Sequence, residues 1–327
     1  MKKKRVLSGI QPSGKLHLGN LVGALSNWVK LQDEYECFFF IADLHALTTG
    51  YADTKTIKEN IIDVATDMLS AGLDPKRSKL FIQSDIPEHC ELHLLFSMIT
   101  PLPWLERIPT YKSQIEELKE KDLGTYGFLG YPVLQAADIL IYKADYVPVG
   151  QDQLPHLEFT REISRRFNHF YKETFPIPKD LLTETPVLPG LDGRKMSKSY
   201  NNTIAISDPP ETVLIKLSAA ITDPARVKKE DKGHPDICTI FSYHQLFNKS
   251  EVKQIKADCS SAKIGCVECK KLIAKRLNEF LAPIYEKRRS LEKQKEYVME
   301  IFKAGAKTAQ VIARQTLDEA KSAMRIK

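Results

Sequence analysis

Lys195, Met196, Ser197, Lys198 and Ser199 place two ammonium groups and two hydroxyls within five residues. Such groups clasp a polyphosphate: each ammonium offsets charge gathering on a departing pyrophosphate, and each hydroxyl donates to a phosphate oxygen. Gly193 before them and Asn201-Asn202 after them are turn-forming flanks that suit a mobile loop. For a Lys/Ser pentapeptide taken alone, a solvated basic loop is the alternative reading. Far upstream, Gln11-Pro12-Ser13-Gly14-Lys15-Leu16-His17-Leu18-Gly19-Asn20 sets a glycine-containing turn and a His-x-Gly-Asn step behind the short apolar strand Arg5 to Ser8. At such a strand-to-helix junction the backbone amides point outward and favour an anion.

The elements that position these residues follow from hydrophobic periodicity. Val6-Leu7, Cys37 to Ala42 and Leu80-Phe81-Ile82 read as buried strands. Between them, Gly19 to Leu31 and Thr54 to Leu73 read as helices, the latter with Ile57, Ile61, Val64, Met68 and Leu69 on one stripe. The alternation predicts an α/β fold, a Rossmann-type doubly wound parallel sheet with right-handed crossovers. After Ser207-Asp208-Pro209-Pro210 the pattern turns mostly helical. Residues 1–206 are therefore expected to form the catalytic domain and 207–327 a helical domain, whose last segment, Tyr297 to Met324, is amphipathic enough to fold back onto the first.

A chain of 327 residues with 43% hydrophobic and 28% charged residues has the profile of a soluble globular protein. Ser8, Gly9, Gln11, Pro12 and Ser13 interrupt any apolar stretch behind the basic start, and the run Cys37 to Ala42 is too short to cross a bilayer. The expectation is a cytoplasmic protein without a membrane partner. The net charge of +6 is uneven: residues 270–327 hold fifteen Lys and Arg against seven Asp and Glu, which leaves the preceding residues at −2. A basic C-terminal part suits attraction to a polyanion such as RNA, with solvated helix faces as the alternative.

Cys238, Cys259, Cys266 and Cys269 have the spacing C-x20-C-x6-C-x2-C, while Cys37 and Cys90 lie in the first domain. Four clustered thiols in a reducing compartment suggest a metal, and soft thiolates suit either zinc or an iron–sulfur cluster.

The two motif segments resemble the signatures of class I aminoacyl-tRNA synthetases. Over essentially its whole length the chain looks like the bacterial tryptophanyl-tRNA synthetases. The resemblance is carried by Ser8 to Gly14, by Tyr131-Pro132-Val133-Leu134-Gln135-Ala136-Ala137-Asp138-Ile139-Leu140, by Val147-Pro148-Val149-Gly150-Gln151-Asp152-Gln153, and by the lysine motif. Asn20 stands where the general class I pattern has a second His, a departure shared by the bacterial tryptophan enzymes. The resemblance implies that Gln11, Pro12, Ser13, His17, Gly19 and Asn20 line an ATP site. Gly150, Gln151 and Asp152 fall on its ribose and adenosine side, and Lys195, Met196, Ser197, Lys198 and Ser199 close over the phosphates, with Lys195 and Lys198 as catalytic groups and Lys112 as a further phosphate contact.

It also implies that Asp138 receives the indole N–H of tryptophan while Tyr131, Gln135 and Gln153 orient the amino acid; Gln135 stands where many members have Met. Asp138 as a solvated helix acid, Gln151 to Gln153 as a helix cap, and His45 as a satisfied core histidine rather than a pocket residue are the competing readings. A subgroup of the family ends its cysteines in Cys-x6-Cys-x2-Cys around a [4Fe–4S] cluster, which points to that group over Zn²⁺ at the four cysteines. Its task is expected to be structural, beside Lys263, Lys270 and Lys271 on a segment facing the tRNA anticodon. Mg²⁺ on the phosphates, tRNA(Trp) and L-tryptophan as partners, and a homodimer complete the implication. A tyrosyl-tRNA synthetase, a non-catalytic paralogue and an iron–sulfur electron carrier are the rival functions.

Overall fold

The computed structural model describes residues 3–109, 111, 115, 122–182 and 188–327. Five parallel strands, β1 (Arg5–Ile10), β2 (Glu36–Ile41), β3 (Ser78–Ile82), β4 (Tyr146–Val149) and β5 (Lys179–Leu182), lie in the order β3-β2-β1-β4-β5. The order reverses between β1 and β4, and beyond the carboxyl ends of strands at such a point open α/β sheets place their ligand crevice. This is the expected Rossmann-type doubly wound sheet, followed by a mostly helical region. The central strands are apolar on both faces because helices cover both: Cys37, Phe38, Phe39 and Ile41 are fully buried.

The helical run behind β1 begins as α1 (Leu18–Asn20), passes through a π-helical stretch, Leu21–Leu25, and continues as α2 (Ser26–Glu34). The apolar period predicts the helix but not the π stretch. Then come α3 (Asp43–Gly50), α4 (Ile57–Ser70), α5 (Glu88–Ser97), α6 (Leu102–Glu106), α7 (Tyr126–Ile141) and α8 (Leu154–Phe170). Helix α4 is shorter than its stripe suggests, because Ala71-Gly72 and Asp74-Pro75 cut it off; Gly72 has a left-handed φ of +111°.

The C-terminal region contributes α9 (Pro210–Ala219), α10 (Thr239–Phe247), α11 (Val252–Ser260), α12 (Cys266–Leu291) and α13 (Lys295–Ala323). One apolar core runs from Val6, Phe39 and Leu80 of the sheet into Ile240, Tyr243, Ile273, Leu277 and Phe302 of these helices. Helix α13 returns to the sheet and lies along edge strand β3, with Ala306, Ala309, Ala313 and Leu317 in the core that also holds Phe38 and Phe81. Gly305 allows the approach, since a Cβ there would overlap the Leu80 carbonyl. Among the described residues no helix is long and apolar enough to cross a membrane.

Candidate active site

The two motif segments, separated by some 180 residues, meet beyond the carboxyl end of β1. Lys198 Nζ donates to the Gly14 carbonyl at 2.7 Å and to Ser13 Oγ at 3.3 Å. Behind this contact the chain is stitched by a short antiparallel pairing: Leu18 N–H to Ile204 C=O at 2.9 Å, Ile206 N–H to Leu16 C=O at 3.0 Å, with His17 opposite Ala205. The pairing fixes the chain that follows the lysine loop beside His17.

His17 and Asn20 form a reciprocal cap. Asn20 N–H donates to His17 Nδ1 at 3.3 Å, and His17 N–H donates to Asn20 Oδ1 at 3.0 Å. Burial, together with the nearby charge of Lys198, pulls the His17 pKa down to about 4. The ring is therefore neutral at pH 7, and with Nδ1 accepting, its proton resides on Nε2, a donor available to a ligand oxygen. Gly19 is required beneath this ring, because a Cβ would stand 2.9 Å from Nδ1. Asn20 Oδ1 is thus committed to the His17 backbone, which leaves its Nδ2 amide as the group that can donate to a ligand oxygen. Burial lowers the Lys198 pKa to about 8, against the opposing charges of Asp67 and Asp63. Gln11 and Ser13 are exposed around the crevice, Pro12 is buried under it, and Lys195 is exposed. Met196 is buried in the core and anchors the middle of the loop.

The lysine loop owes its shape to Asn202, 3% exposed, which the sequence marks only as a flank. Asn202 Oδ1 accepts the Ser197 N–H at 2.8 Å, and its amide donates to Asp192 Oδ1 at 2.7 Å and to the Lys195 carbonyl at 3.1 Å. Asn202→Ala removes all three from a buried position. It is expected to destabilise the fold by about 2–3 kcal/mol in chemical denaturation and to raise the KM for ATP. Ser199 lies in the turn Lys198–Tyr200 with its side chain outside the described residues, as does all of Lys112.

At the carboxyl end of β4, Gly150 precedes a 3-10 turn, Gln151–Gln153. Neither this turn nor α8 has a side-chain cap, so Asp152 is not a helix cap; it accepts from Gln153 Nε2 at 3.3 Å and is exposed beside the crevice with Gln151.

Asp138 is 1% exposed on α7 and is no solvated helix acid. His45 Nε2 donates to its Oδ2 at 2.8 Å, His89 Nδ1 to its Oδ1 at 2.6 Å, and Gln83 Nε2 to both oxygens at 2.8 and 2.9 Å. The hydrogen bonds from His45 and His89 outweigh burial and hold its carboxyl at a pKa of about 2. The other nitrogen of His89 meets the Tyr142 hydroxyl at 2.7 Å. Three donor groups, with Gln83 Nε2 shared between both oxygens, leave Asp138 at most one of the roughly four acceptor positions of a carboxylate for an indole N–H. Gln83 Oε1 is meanwhile a fully buried acceptor with no hydrogen-bond partner among the described residues. No local motif marks Gln83 or His89, although Gln83 follows the carboxyl end of β3, where α/β folds place ligand groups. His45 satisfies its competing reading and borders the network at once. On the same helix, half-buried Tyr131 puts its hydroxyl 3.2 Å from His156 Nε2, and Gln135 one turn on is also half-buried.

The four C-terminal cysteines gather in one region. Cys238, Cys259 and Cys269 pack around Phe241, Ile255 and Ile264. Burial, reinforced by the negative charge that Cys238, Cys259 and Cys266 can carry, pushes the Cys269 thiol up to about 12. His244 Nε2 lies 3.3 Å from Cys269 Sγ, and Arg226 Nη1 donates to Cys259 Sγ at 3.8 Å. Among the described residues no three His, Cys, Asp or Glu side chains converge into a metal-ion site. The metal site expected at the four cysteines, as a [4Fe–4S] cluster or as zinc, is therefore not preformed there.

Comparison with known proteins matches this geometry to a family. The profile described as tRNA synthetases class I (W and Y) covers residues 1–282. The tryptophan–tRNA ligase of Thermotoga maritima is 51% identical, over 98% of this chain and 99% of its own. That of Aquifex aeolicus is 47% identical, over 98% and 100%. The structure of tryptophanyl-tRNA synthetase from Campylobacter jejuni, complexed with ADP and tryptophan, superposes with a TM-score of 0.88 at 35% identity, over 97% of this chain and 98% of that one.

Proposed function

The chain belongs to the class I tRNA synthetases for tryptophan and tyrosine, and we propose that its two motif segments form one ATP site beside a tryptophan pocket centred on Asp138. It joins L-tryptophan to tRNA(Trp) using ATP. The tryptophan carboxylate attacks the α-phosphorus, pyrophosphate leaves, and tryptophanyl-adenylate results. The 2′-OH at the 3′ end of the tRNA then attacks the acyl carbon and AMP leaves. The attacking carboxylate is already ionised, so activation needs no protein base, and positioning with charge stabilisation supplies the catalysis.

In this reading His17 donates from Nε2 to a phosphate oxygen, while Gln11, Pro12, Ser13, Gly19 and Asn20 shape the wall behind it. Gly150, Gln151 and Asp152 hold the ribose and adenine. Lys195, Met196, Ser197, Lys198 and Ser199 close on the β- and γ-phosphates, and Mg²⁺ bound with ATP screens the same charge. The indole N–H is received at the Asp138–Gln83 pair, with Tyr131, Gln135 and Gln153 around the amino acid. The single observation carrying the proposal is the 2.7 Å bond from Lys198 to Gly14, which brings both signatures to one crevice. Tryptophan-dependent ATP–pyrophosphate exchange tests it. Exchange with tryptophan but not tyrosine is expected; equal rates, or none, would overturn the assignment.

We further propose that residues 1–206 are the catalytic part and 207–327 the anticodon-facing part, that the protein works in the cytoplasm, and that it is a homodimer. Leu94, Leu102 and Tyr126, on α5, α6 and α7, and Met98 just after α5 support the dimer as exposed apolar side chains. For Cys238, Cys259, Cys266 and Cys269 we propose a [4Fe–4S] cluster. The C-x20-C-x6-C-x2-C spacing and the gathering of Cys238, Cys259 and Cys269 around one small apolar cluster support it. When bound, the cluster would cross-link α10, α11 and α12. Protein purified without oxygen is expected to contain about four iron and four sulfide per chain; one zinc and no sulfide would refute this.

A further inference from the structure

Arg288 is 1% exposed, yet it belongs to α12 of the helical region and points into the first domain. Its Nε donates to Asp67 Oδ1 at 2.5 Å and its Nη2 to Asp63 Oδ1 at 2.8 Å, both on α4. Asp67 is fully buried, and its second oxygen, Oδ2, accepts the backbone N–H of Leu16 at 2.9 Å. Leu16 is the residue before His17, and its carbonyl is held from the other side by the Ile206 N–H. The backbone entering the nucleotide loop is thus fixed through one carboxylate, and that carboxylate through an arginine more than 220 residues away in sequence.

Stability alone does not call for charge here. Burying an ion pair costs desolvation on both partners, and an apolar pair of similar volume is often as stable. What an apolar pair lacks is a directional acceptor for the Leu16 N–H, whose orphaning in a buried site is costly. The same Asp67 and Asp63 also supply the negative charge that favours the ammonium form of Lys198.

We propose that Arg288 and Asp67 are positioning residues for ATP: Arg288, presented by α12, orients the Asp67 carboxylate, which holds Leu16 and so sets the Nε2–H of His17 toward the phosphates. This rests on the reading of residues 11–20 as the nucleotide loop. Because Arg288 lies on α12, which begins at Cys266, this contact also ties the loop to the helical region.

The test compares two double variants of the full chain by thermal melting and by ATP–pyrophosphate exchange. Asp67→Leu/Arg288→Met keeps an apolar core but gives Leu16 no acceptor. It is expected to melt near the parent protein while kcat/KM for ATP falls roughly 10²-fold and the KM for tryptophan stays unchanged. Asp67→Asn/Arg288→Gln keeps a carbonyl for Leu16 and is expected to recover most of that loss. Unchanged ATP kinetics in the apolar pair, equal losses for both substrates, or no recovery in the amide pair would overturn the inference. If the apolar pair does not fold, Arg288→Lys decides by hydrogen exchange: the Leu16 amide should exchange about tenfold faster, and unaltered exchange refutes the role. Absence of exchange activity in the parent protein would instead refute the nucleotide-loop reading.

Discussion

Replacing Lys198 by alanine is expected to slow tryptophan-dependent ATP–pyrophosphate exchange about 10²–10³-fold, the usual cost of removing one well-aimed donor from a charge-stabilising site. Tryptophan binding, measured by equilibrium dialysis, should not change, because Lys198 contacts Gly14 and Ser13 and nothing in the Asp138 network. Its partner in the resting structure is a backbone carbonyl, a neutral acceptor that a phosphate oxygen can displace with gain in charge complementarity. Equal losses in exchange and tryptophan binding would remove Lys198 from the phosphate clasp.

The same lysine sets a pH dependence. Its pKa in the folded protein is about 8, pulled down by burial. The ammonium form is the active one, so kcat/KM for ATP should hold level below that pH and decline as pH rises through it. Lys198→Arg, whose guanidinium stays charged throughout, should flatten the alkaline limb even where its overall rate is lower. A limb that persists unchanged in Lys198→Arg assigns the titration to another group.

The contrast between Asn20 and Asn202 shows what the sequence reveals and what it hides. Local pattern sufficed for the strands, since runs such as Cys37 to Ile41 can only be buried between layers, and for the strand-to-helix junction at His17. The motifs located Lys198 and Asp138 because their chemistry is concentrated in short segments. Contacts closed by the fold were not legible: Gln83 and His89 reach Asp138 across 55 and 49 residues, and Arg288 reaches Asp67 across 221. A buried polar side chain acquires its meaning from its partner, and no single-sequence pattern names a partner that far away. Asn20 reads as a ligand-facing amide because its position in the motif is visible, whereas the bond of its Oδ1 to the His17 backbone is a matter of geometry. Asn202 reads as a turn former, and its three hydrogen bonds hold the lysine loop.

Asp138→Ala should lower kcat/KM for tryptophan by about 10⁴-fold, in the range found when a site built to bond a polar substrate group loses that bond. The KM for ATP should be little altered, since the network stands apart from Lys198 and His17. The loss has two sources. Without the carboxylate, an indole N–H has no charged acceptor, and Gln83, His45 and His89 lose the group that orients them. Stability separates these sources. Folding depresses the Asp138 pKa from 3.8 to about 2, so the folded state gains from ionisation about 2 kcal/mol. That contribution is fully present above about pH 4 and is lost as pH falls through 2. Asp138→Asn should therefore be less stable at neutral pH by at least this amount and should lack the acid-sensitive part of the stability curve. Gln83→Leu keeps the carboxylate and its histidines but removes both the donor to Asp138 and the unpartnered oxygen. If Gln83→Leu retains tryptophan selectivity over phenylalanine while Asp138→Ala loses it, the carboxylate itself receives the indole. If both lose it with ATP unaffected, the pair acts as one acceptor, which is the arrangement favoured by a carboxylate already bonded by three donors beside one buried, unsatisfied amide oxygen.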